Sequence, residues 1–140
     1  MTLDDLKPGL AGQRTITVDE GLTVPAIAPP TFGFNDMPPV FATAFLVAFV
    51  EWTCIEVLRP YLEPSQRTVG VHVDLSHSAA TPVGMKATAT VELVKRNDRR
   101  LRFKVIVRDE AEVISEGFHE RYIIDAERFI ARLTKKTPTA

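Results

Sequence analysis

The sequence contains a single cysteine, Cys54, and its charges nearly cancel, because 17 Lys and Arg residues face 18 Asp and Glu residues. One cysteine excludes an intramolecular disulfide and a cysteine-rich zinc site. A formal net charge of -1 gives no field that would recruit nucleic acid or an anionic membrane surface. We therefore expect neither nucleic acid nor a membrane among the partners of this chain, and we look for specific sites instead.

Long hydrophobic runs and a targeting signal are also missing. The longest apolar run ends at Glu51 after about a dozen residues, short of the roughly 20 that a membrane span needs. Asp4 and Asp5 stand where a signal peptide would be basic. These features predict a cytoplasmic protein. The 140 residues can build one core but not two, so we expect a single domain over residues 1–140.

Several familiar catalytic motifs are absent. The sequence has no Gly-x-Ser-x-Gly elbow, no glycine-rich phosphate loop and no metal-ligand spacing, so we expect no metal and no redox cofactor. Cys54 could act as a thiolate, but a lone cysteine among apolar helical residues favours inert packing. A basic cluster at a predicted hairpin could bind phosphates, although strand alternation turns it outward and favours a solvated surface. Its members are Lys95, Arg96, Arg99, Arg100, Arg102 and Lys104.

The pattern along the chain predicts one long helix among strands. Alternating β-branched residues indicate a first strand from Gln13 to Val18. Five prolines between Pro25 and Pro39 exclude a helix or a central strand, so this segment is a predicted loop with apolar side chains. An apolar helix should begin near Pro39 or Val40 and end near Leu58-Arg59-Pro60, where the next proline stops it.

The second half of the chain has the period of two that β-strands require. Two neighbouring strands each present one apolar face, formed by Met85, Ala87, Ala89, Val91 and Leu93 and by Leu101, Phe103, Val105 and Val107. A further strand is predicted over residues 113–124 and a short amphipathic helix over residues 126–133. A buried helix and a meander of amphipathic strands bury one another only if the sheet curls around the helix. The sequence therefore predicts the α+β architecture called the hot-dog fold.

Glu51 is the only charged residue between positions 40 and 55, so the helix should carry it toward the interior. Removing a carboxylate from water costs several kcal/mol unless it is protonated or paired. Glu51 is therefore a candidate for chemistry. A structural carboxylate, or one turned to a solvent edge, is the alternative interpretation.

His77 ends an alternating row that should face the helix, formed by Val69, Val71, Val73, Leu75 and His77. This parity places His77 on the side of Glu51, where an imidazole could supply a hydrogen bond and move protons near neutral pH. A lone histidine on an apolar face is otherwise usually a satisfied core residue. We interpret His72 and His119 as surface or interface histidines.

Thr43 is the third candidate. It lies eight residues before Glu51, about 80° and about 12 Å away on an ideal helix, so the two side chains cannot touch. Because helical side chains lean toward the N-terminus, a gap sized for a small acyl group, a water or an imidazole remains between them. Taken alone, Thr43 is better explained by a hydrogen bond to a preceding helical carbonyl.

Five phrases of the sequence resemble the fluoroacetyl-CoA thioesterase group of hot-dog thioesterases. The resemblance covers most of the chain from the proline loop to residue 138. The phrases are Phe41-Ala42-Thr43-x-Phe45-x-Val47, Glu51-Trp52-x-Cys54, Pro60-Tyr61-Leu62-Glu63-Pro64, His77-Ser78-Ala79-Ala80-Thr81-Pro82 and His119-Glu120-Arg121.

The resemblance implies roles by position. Thr43, Glu51 and His77 match the catalytic residues of that family, while Gly70 and Arg121 match residues that line its acyl pocket. It also implies a homodimer with the active site at the subunit interface.

The proline loop departs from the family pattern at one position. The fluoroacetyl-specific member carries two phenylalanines over the pocket, where this chain has Phe34 and Met37. A flexible thioether is not a rigid aromatic wall, so the resemblance supports thioester hydrolysis more firmly than selectivity for fluorine.

These features predict an acyl-CoA thioesterase for a short acyl chain. Glu51 would be the nucleophile or the base, His77 the proton shuttle and Thr43 a positioning hydroxyl. A non-catalytic acyl-CoA or small-acid binding protein is the alternative. A hot-dog hydratase or dehydratase would also need an acid and a base, but the resemblance disfavours it.

Overall fold

The computed structural model describes residues 1–138, in which five antiparallel strands form one sheet around a long helix. The strands are β1 (Ala11–Thr17), β2 (Gln66–Leu75), β3 (Lys86–Asn97), β4 (Arg100–Asp109) and β5 (Val113–Asp125), and the helices are α1 (Thr43–Leu58) and α2 (Ala126–Lys136). The sheet order is β1-β3-β4-β5-β2. Because α1 contacts both edge strands, β1 and β2, as well as β3, the sheet curls around the helix as predicted.

The core lies between α1 and the inward rows of the central strands. Every predicted inward residue within β3 and β4 is buried, as strand alternation requires: Ala87, Ala89, Val91, Leu93, Leu101, Phe103, Val105 and Val107. The two strands are joined by a tight turn in which Asp98 has a φ of 55°, a conformation that Asp tolerates better than most residues. The predicted hairpin and its apolar face are confirmed.

Helix α1 ends at Leu58 as predicted, but its predicted start at Pro39 or Val40 is wrong. Val40 and Phe41 are extended, because they form isolated bridges with Pro82 and Thr23. The helix begins at Thr43, three to four residues later. Smaller differences occur at β1, which starts at Ala11, and at α2, which continues to Lys136. No helix within residues 1–138 is long and apolar enough to cross a membrane.

Strand β2 does not keep the uniform alternation that the sequence suggested. Its pairing with β5 shifts between Gly70 and His72, so Val71 is an extra residue in a bulge. Gly70 pairs with buried Arg121, and Val73 pairs with buried His119. Paired residues share a face of the sheet, so the inward row changes from even to odd numbers at the bulge. The predicted inward positions of Val69 and Val71 are therefore wrong.

Gly117 allows β5 to approach β2 closely just before His119. Its φ is +149°, and an added Cβ atom would overlap the Asp74 carbonyl oxygen. Gly84 provides a matched comparison, because it has a φ of +95° and nothing within 4 Å of an added Cβ.

We predict that Gly84→Ala lowers the free energy of unfolding by about 1–3 kcal/mol, the usual cost of a strained backbone conformation. Gly117→Ala should lower it further, because the backbone clash is added to the strain. Urea denaturation of both variants measures the difference. Equal losses for the two variants would show that close packing of β2 on β5 does not depend on Gly117.

Candidate active site

Glu51 lies on the middle of α1 and pairs with Arg121 on the inner face of β5. The Glu51 Oε1 atom is 3.0 Å from Arg121 Nη1. The Arg121 side chain is only 4% exposed, whereas the Glu51 side chain is 37% exposed. Glu51 therefore has the cationic partner that an inward carboxylate needs, yet it keeps an open side. Glu51 thus lies half-buried, between the predicted interior position and the solvent-edge alternative.

Arg121 is held from three directions. Its Nε donates to the Thr68 hydroxyl at 2.8 Å, and its Nη2 donates to the Thr68 carbonyl at 2.9 Å. Its Nη1 lies 3.1 Å from His119 Nε2 in addition to the Glu51 contact. A buried guanidinium is tolerated when its donors are satisfied in this way. Arg121 is thus a fixed cation beside Glu51.

Gly70 sits against the same carboxylate. An added Cβ at this position would lie 2.6 Å from Glu51 Oε1, 3.3 Å from His119 Cε1 and 3.4 Å from Arg121 Nη1. Any larger side chain would displace the Glu51 carboxylate. The structure therefore brings together Glu51, Gly70 and Arg121, three of the residues singled out in the sequence.

His119 is fully buried in this cluster, so its predicted surface or interface position is wrong. Its Nδ1 is 2.8 Å from the His72 carbonyl oxygen, and its Nε2 is 4.0 Å from Glu51 Oε1. Strand parity could have shown this, because His119, Arg121 and Ile123 form an inward row on β5. His72, in contrast, is exposed as predicted.

Thr43 and His77 form a second group at the start of α1. The Thr43 hydroxyl is 2.7 Å from His77 Nδ1, so Thr43 bonds to this histidine rather than to a helical carbonyl. His77 is half-buried, and burial lowers its pKa from the ordinary 6.5. Its other ring nitrogen, Nε2, is buried without a hydrogen-bond partner among residues 1–138. A neutral imidazole with one free nitrogen can accept or deliver a proton.

The two groups lie along one helix but do not touch. Within residues 1–138, Arg121 is the cationic partner of Glu51, and the imidazole near its carboxylate is that of His119, 4.0 Å away, rather than that of His77. Within one chain, His77 therefore does not supply the hydrogen bond that Glu51 needs. About 12 Å of helix rise separates Thr43 from Glu51.

Cys54 does not belong to either group. Its side chain is fully buried, and desolvation raises the pKa of the thiol to about 12. It is therefore protonated near neutral pH and inert as a nucleophile. Within residues 1–138, no cluster of His, Cys, Asp and Glu side chains could hold a metal ion.

The basic cluster is used mainly for structural pairing. Arg100 and Arg102 both contact the Glu120 carboxylate, at 2.6 and 2.8 Å. Arg99 lies 3.4 Å from Asp125. The Arg96 guanidinium donates to the carbonyl of Leu6 at 2.9 Å and to that of Leu3.

The proline loop begins and ends beside the Thr43 end of the helix. Its base is fixed by hydrogen bonds from Val24 N to Val40 O and from Ala42 N to Leu22 O, both 3.0 Å long. On the loop, Phe34 is half-buried and Met37 is 44% exposed. The loop thus holds these two apolar side chains on a segment anchored next to the second group.

Comparison with known proteins places this architecture among the hot-dog proteins. A hot-dog-like protein from Thermanaerovibrio acidaminovorans has the same fold, with a TM-score of 0.85, 16% identity and full coverage of both chains.

Closer relatives define the family. The model of the fluoroacetyl-CoA-specific thioesterase family matches residues 24–127. The fluoroacetyl-CoA thioesterase of Streptantibioticus cattleyicolor is 37% identical over 135 residues, which are 96% of this chain and 97% of the relative. A solved fluoroacetyl-CoA thioesterase is 37% identical with a TM-score of 0.90, over 95% of this chain and 98% of that one. A variant solved with fluoroacetate and CoA is 36% identical with a TM-score of 0.85, over 89% and 99%.

The chain belongs to the fluoroacetyl-CoA-specific thioesterase family of hot-dog proteins, as the sequence resemblance predicted. It is accordingly a thioester hydrolase.

Proposed function

We propose that this protein hydrolyses short-chain acyl-CoA thioesters with Glu51, His77 and Thr43 as its catalytic residues. The observation that carries the proposal is the Glu51 carboxylate, which is held by buried Arg121 through Oε1 and is still 37% exposed. Fixed on one side and open on the other, it can attack a thioester or activate a water. The fluoroacetyl-CoA specificity of the relatives and the CoA found with one of them support this substrate class.

The second group fits the remaining steps of hydrolysis. With Nδ1–H donating to the Thr43 hydroxyl, the free Nε2 of neutral His77 would take a proton from the water that attacks and return it to the leaving thiolate. The helix start adds backbone N–H groups that have no partner within α1 and could stabilise the oxyanion, where one donor is worth roughly 3 kcal/mol. No side chain caps this end of the helix. A binding protein without turnover would need neither an imidazole that moves protons nor backbone donors that stabilise an oxyanion.

We propose that the active site is completed in a homodimer. Ala44 and Ala48 are exposed on the α1 face that also carries Glu51, although the helix is apolar on nearly every side. On the edge strand β2, Val71 is 42% exposed and Val73 is 47% exposed. Exposed apolar side chains and an unpaired strand edge favour a protein partner. A second copy of the chain on this surface would exclude water from Glu51.

The dimer can be tested with Ala48→Glu, which places a charge on the uncovered helix face. We predict a folded monomer by light scattering and circular dichroism, with most of the thiol release lost. Ala131→Glu is the control, because Ala131 is exposed on helix α2. An Ala48→Glu protein that stays dimeric, or a fully active monomer, would argue against an interface site.

Glu51→Gln should abolish turnover of acetyl-CoA while the protein stays folded, because the amide keeps the volume but loses the base or nucleophile. Thiol release measures the rate. Glu56→Gln is the matched control, since Glu56 lies on the same helix but pairs with the surface residues Arg59 and Arg14. A Glu51→Gln variant with near wild-type activity would show that this carboxylate is neither the base nor the nucleophile.

His77→Ala should lower kcat/KM by about 10²-fold or more, the usual scale for a positioned acid or base. Because burial lowers the pKa of His77 below 6.5, its neutral form is present at pH 7, and activity should fall only as the pH drops through that lowered value. The variant should lose this step in the pH–rate profile, whereas His72→Ala should keep it. An unchanged profile in His77→Ala would assign the histidine a structural role.

We also propose that Phe34 and Met37 fold over the acyl pocket and exclude water from it. Met37→Phe should then shift the ratio of kcat/KM for fluoroacetyl-CoA over acetyl-CoA upward, by at most roughly 1–3 kcal/mol. Phe34→Ala should change the ratio too, while Phe32→Ala should not, because Phe32 is 63% exposed. If neither Met37→Phe nor Phe34→Ala alters the ratio, the loop does not cover the acyl group.

A further inference from the structure

His119 occupies an unusual place for a histidine, on the inner face of β5 beneath α1. Its side chain is 0% exposed, and both ring nitrogens have partners. The inward positions beside it on β4 are apolar, and its own partner there is Phe103. Burying a polar ring in this position costs free energy unless both of its nitrogens form hydrogen bonds.

The hydrogen bonds define which nitrogen carries the proton. A guanidinium has donors only, so Arg121 Nη1 donates to His119 Nε2 across 3.1 Å. A carbonyl oxygen only accepts, so His119 Nδ1 donates to the His72 carbonyl across 2.8 Å. Both contacts require the same form of the ring, the neutral imidazole protonated on Nδ1.

The bulge in β2 makes this arrangement possible. The extra residue Val71 shifts the pairing between Gly70 and His72 and leaves Val73 opposite His119. The His72 carbonyl thereby reaches the buried ring while the His72 side chain stays exposed. Gly70, just before the bulge, leaves room for the Glu51 carboxylate beside His119.

We propose that His119 is a positioning residue, which as a neutral imidazole accepts a hydrogen bond from Arg121 and so aims the second Nη1 hydrogen at Glu51. His119 itself does not touch the substrate. The inference rests on the proposed function, because the aim of Arg121 affects turnover only if Glu51 acts on the thioester.

The charges around the ring favour the neutral form. Burial lowers the pKa of His119, and Arg121 lowers it further, whereas the His72 carbonyl and the carboxylates of Glu51 on α1 and Glu120 on β5 act in the opposite direction. Strands β2 and β4 place Val73 and Phe103 opposite His119. A second proton would remove the Nε2 acceptor and put two cations 3.1 Å apart.

Two substitutions of similar size separate positioning from simple packing. In His119→Gln, the amide oxygen can still accept from Arg121, but the bond to His72 is lost. In His119→Asn, the shorter amide can still donate to His72, but Arg121 loses its acceptor. Each variant thus removes one of two buried hydrogen bonds, so a structural role alone predicts similar stability and similar activity for the two.

We expect His119→Asn to lower kcat by about 10–100-fold with little change in KM, the effect of one lost hydrogen bond to a charged group. His119→Gln should keep most of the wild-type kcat. Unfolding free energies of the two variants provide the control for stability. Equal kcat values in the two variants would overturn the proposal.

The tautomer is measured without any activity assay, by nitrogen-15 NMR of the wild-type imidazole between about pH 5 and pH 8. We expect an Nδ1–H ring that does not titrate over this range. An Nε2–H ring, or one that titrates, overturns the proposal even if both variants fail to fold. If the wild-type protein shows this tautomer but releases no thiol, the proposed function fails and the inferred geometry stands.

Discussion

The ion pair between Glu51 and Arg121 is the interaction on which the rest of this site depends. A charged guanidinium inside a small core costs free energy unless its donors are satisfied. Thr68 and His119 take three of its hydrogen bonds, and Glu51 takes the fourth at 3.0 Å. The bulge in β2 follows Gly70, and the lack of a side chain at Gly70 leaves room for this pair. The carboxylate is thereby fixed in a position that faces outward from the core.

Helix α1 holds the two groups of candidate catalytic side chains about two turns apart. Thr43 meets His77 at its first turn, while Glu51 meets Arg121 two turns later, so the site consists of two groups with a gap between them. Under the proposed function, a short acyl thioester would lie between the two groups, and a second copy of the chain would cover the apolar helix face beside them. Proton transfer and attack at the carbonyl would then be separate tasks of separate groups.

Structural features that follow from the regular period of side chains along a strand or helix could be predicted from the sequence. Features that depend on a break in that period could not. The inward rows of β3 and β4 and the end of α1 follow from alternation and from Pro60. The bulge at Val71 reversed the parity of β2, and the isolated Gly70 just before it was the one signal that could have marked its position. The burial of His119 was missed because a histidine is polar, although its place in the row with Arg121 and Ile123 indicated the core. The partner of Glu51 comes from a strand 70 residues away, which helix geometry alone could not identify.

The central claim is that Glu51, open to a substrate and fixed by Arg121, makes this chain a working thioesterase. The most direct test combines thiol release and calorimetric binding for the wild-type protein across acetyl-, fluoroacetyl-, propionyl-, aromatic and long-chain acyl-CoA. The account predicts catalytic turnover of the short acyl-CoA substrates. Measurable binding of these substrates without release of thiol would contradict it and would identify a binding protein that kept the pocket without the chemistry.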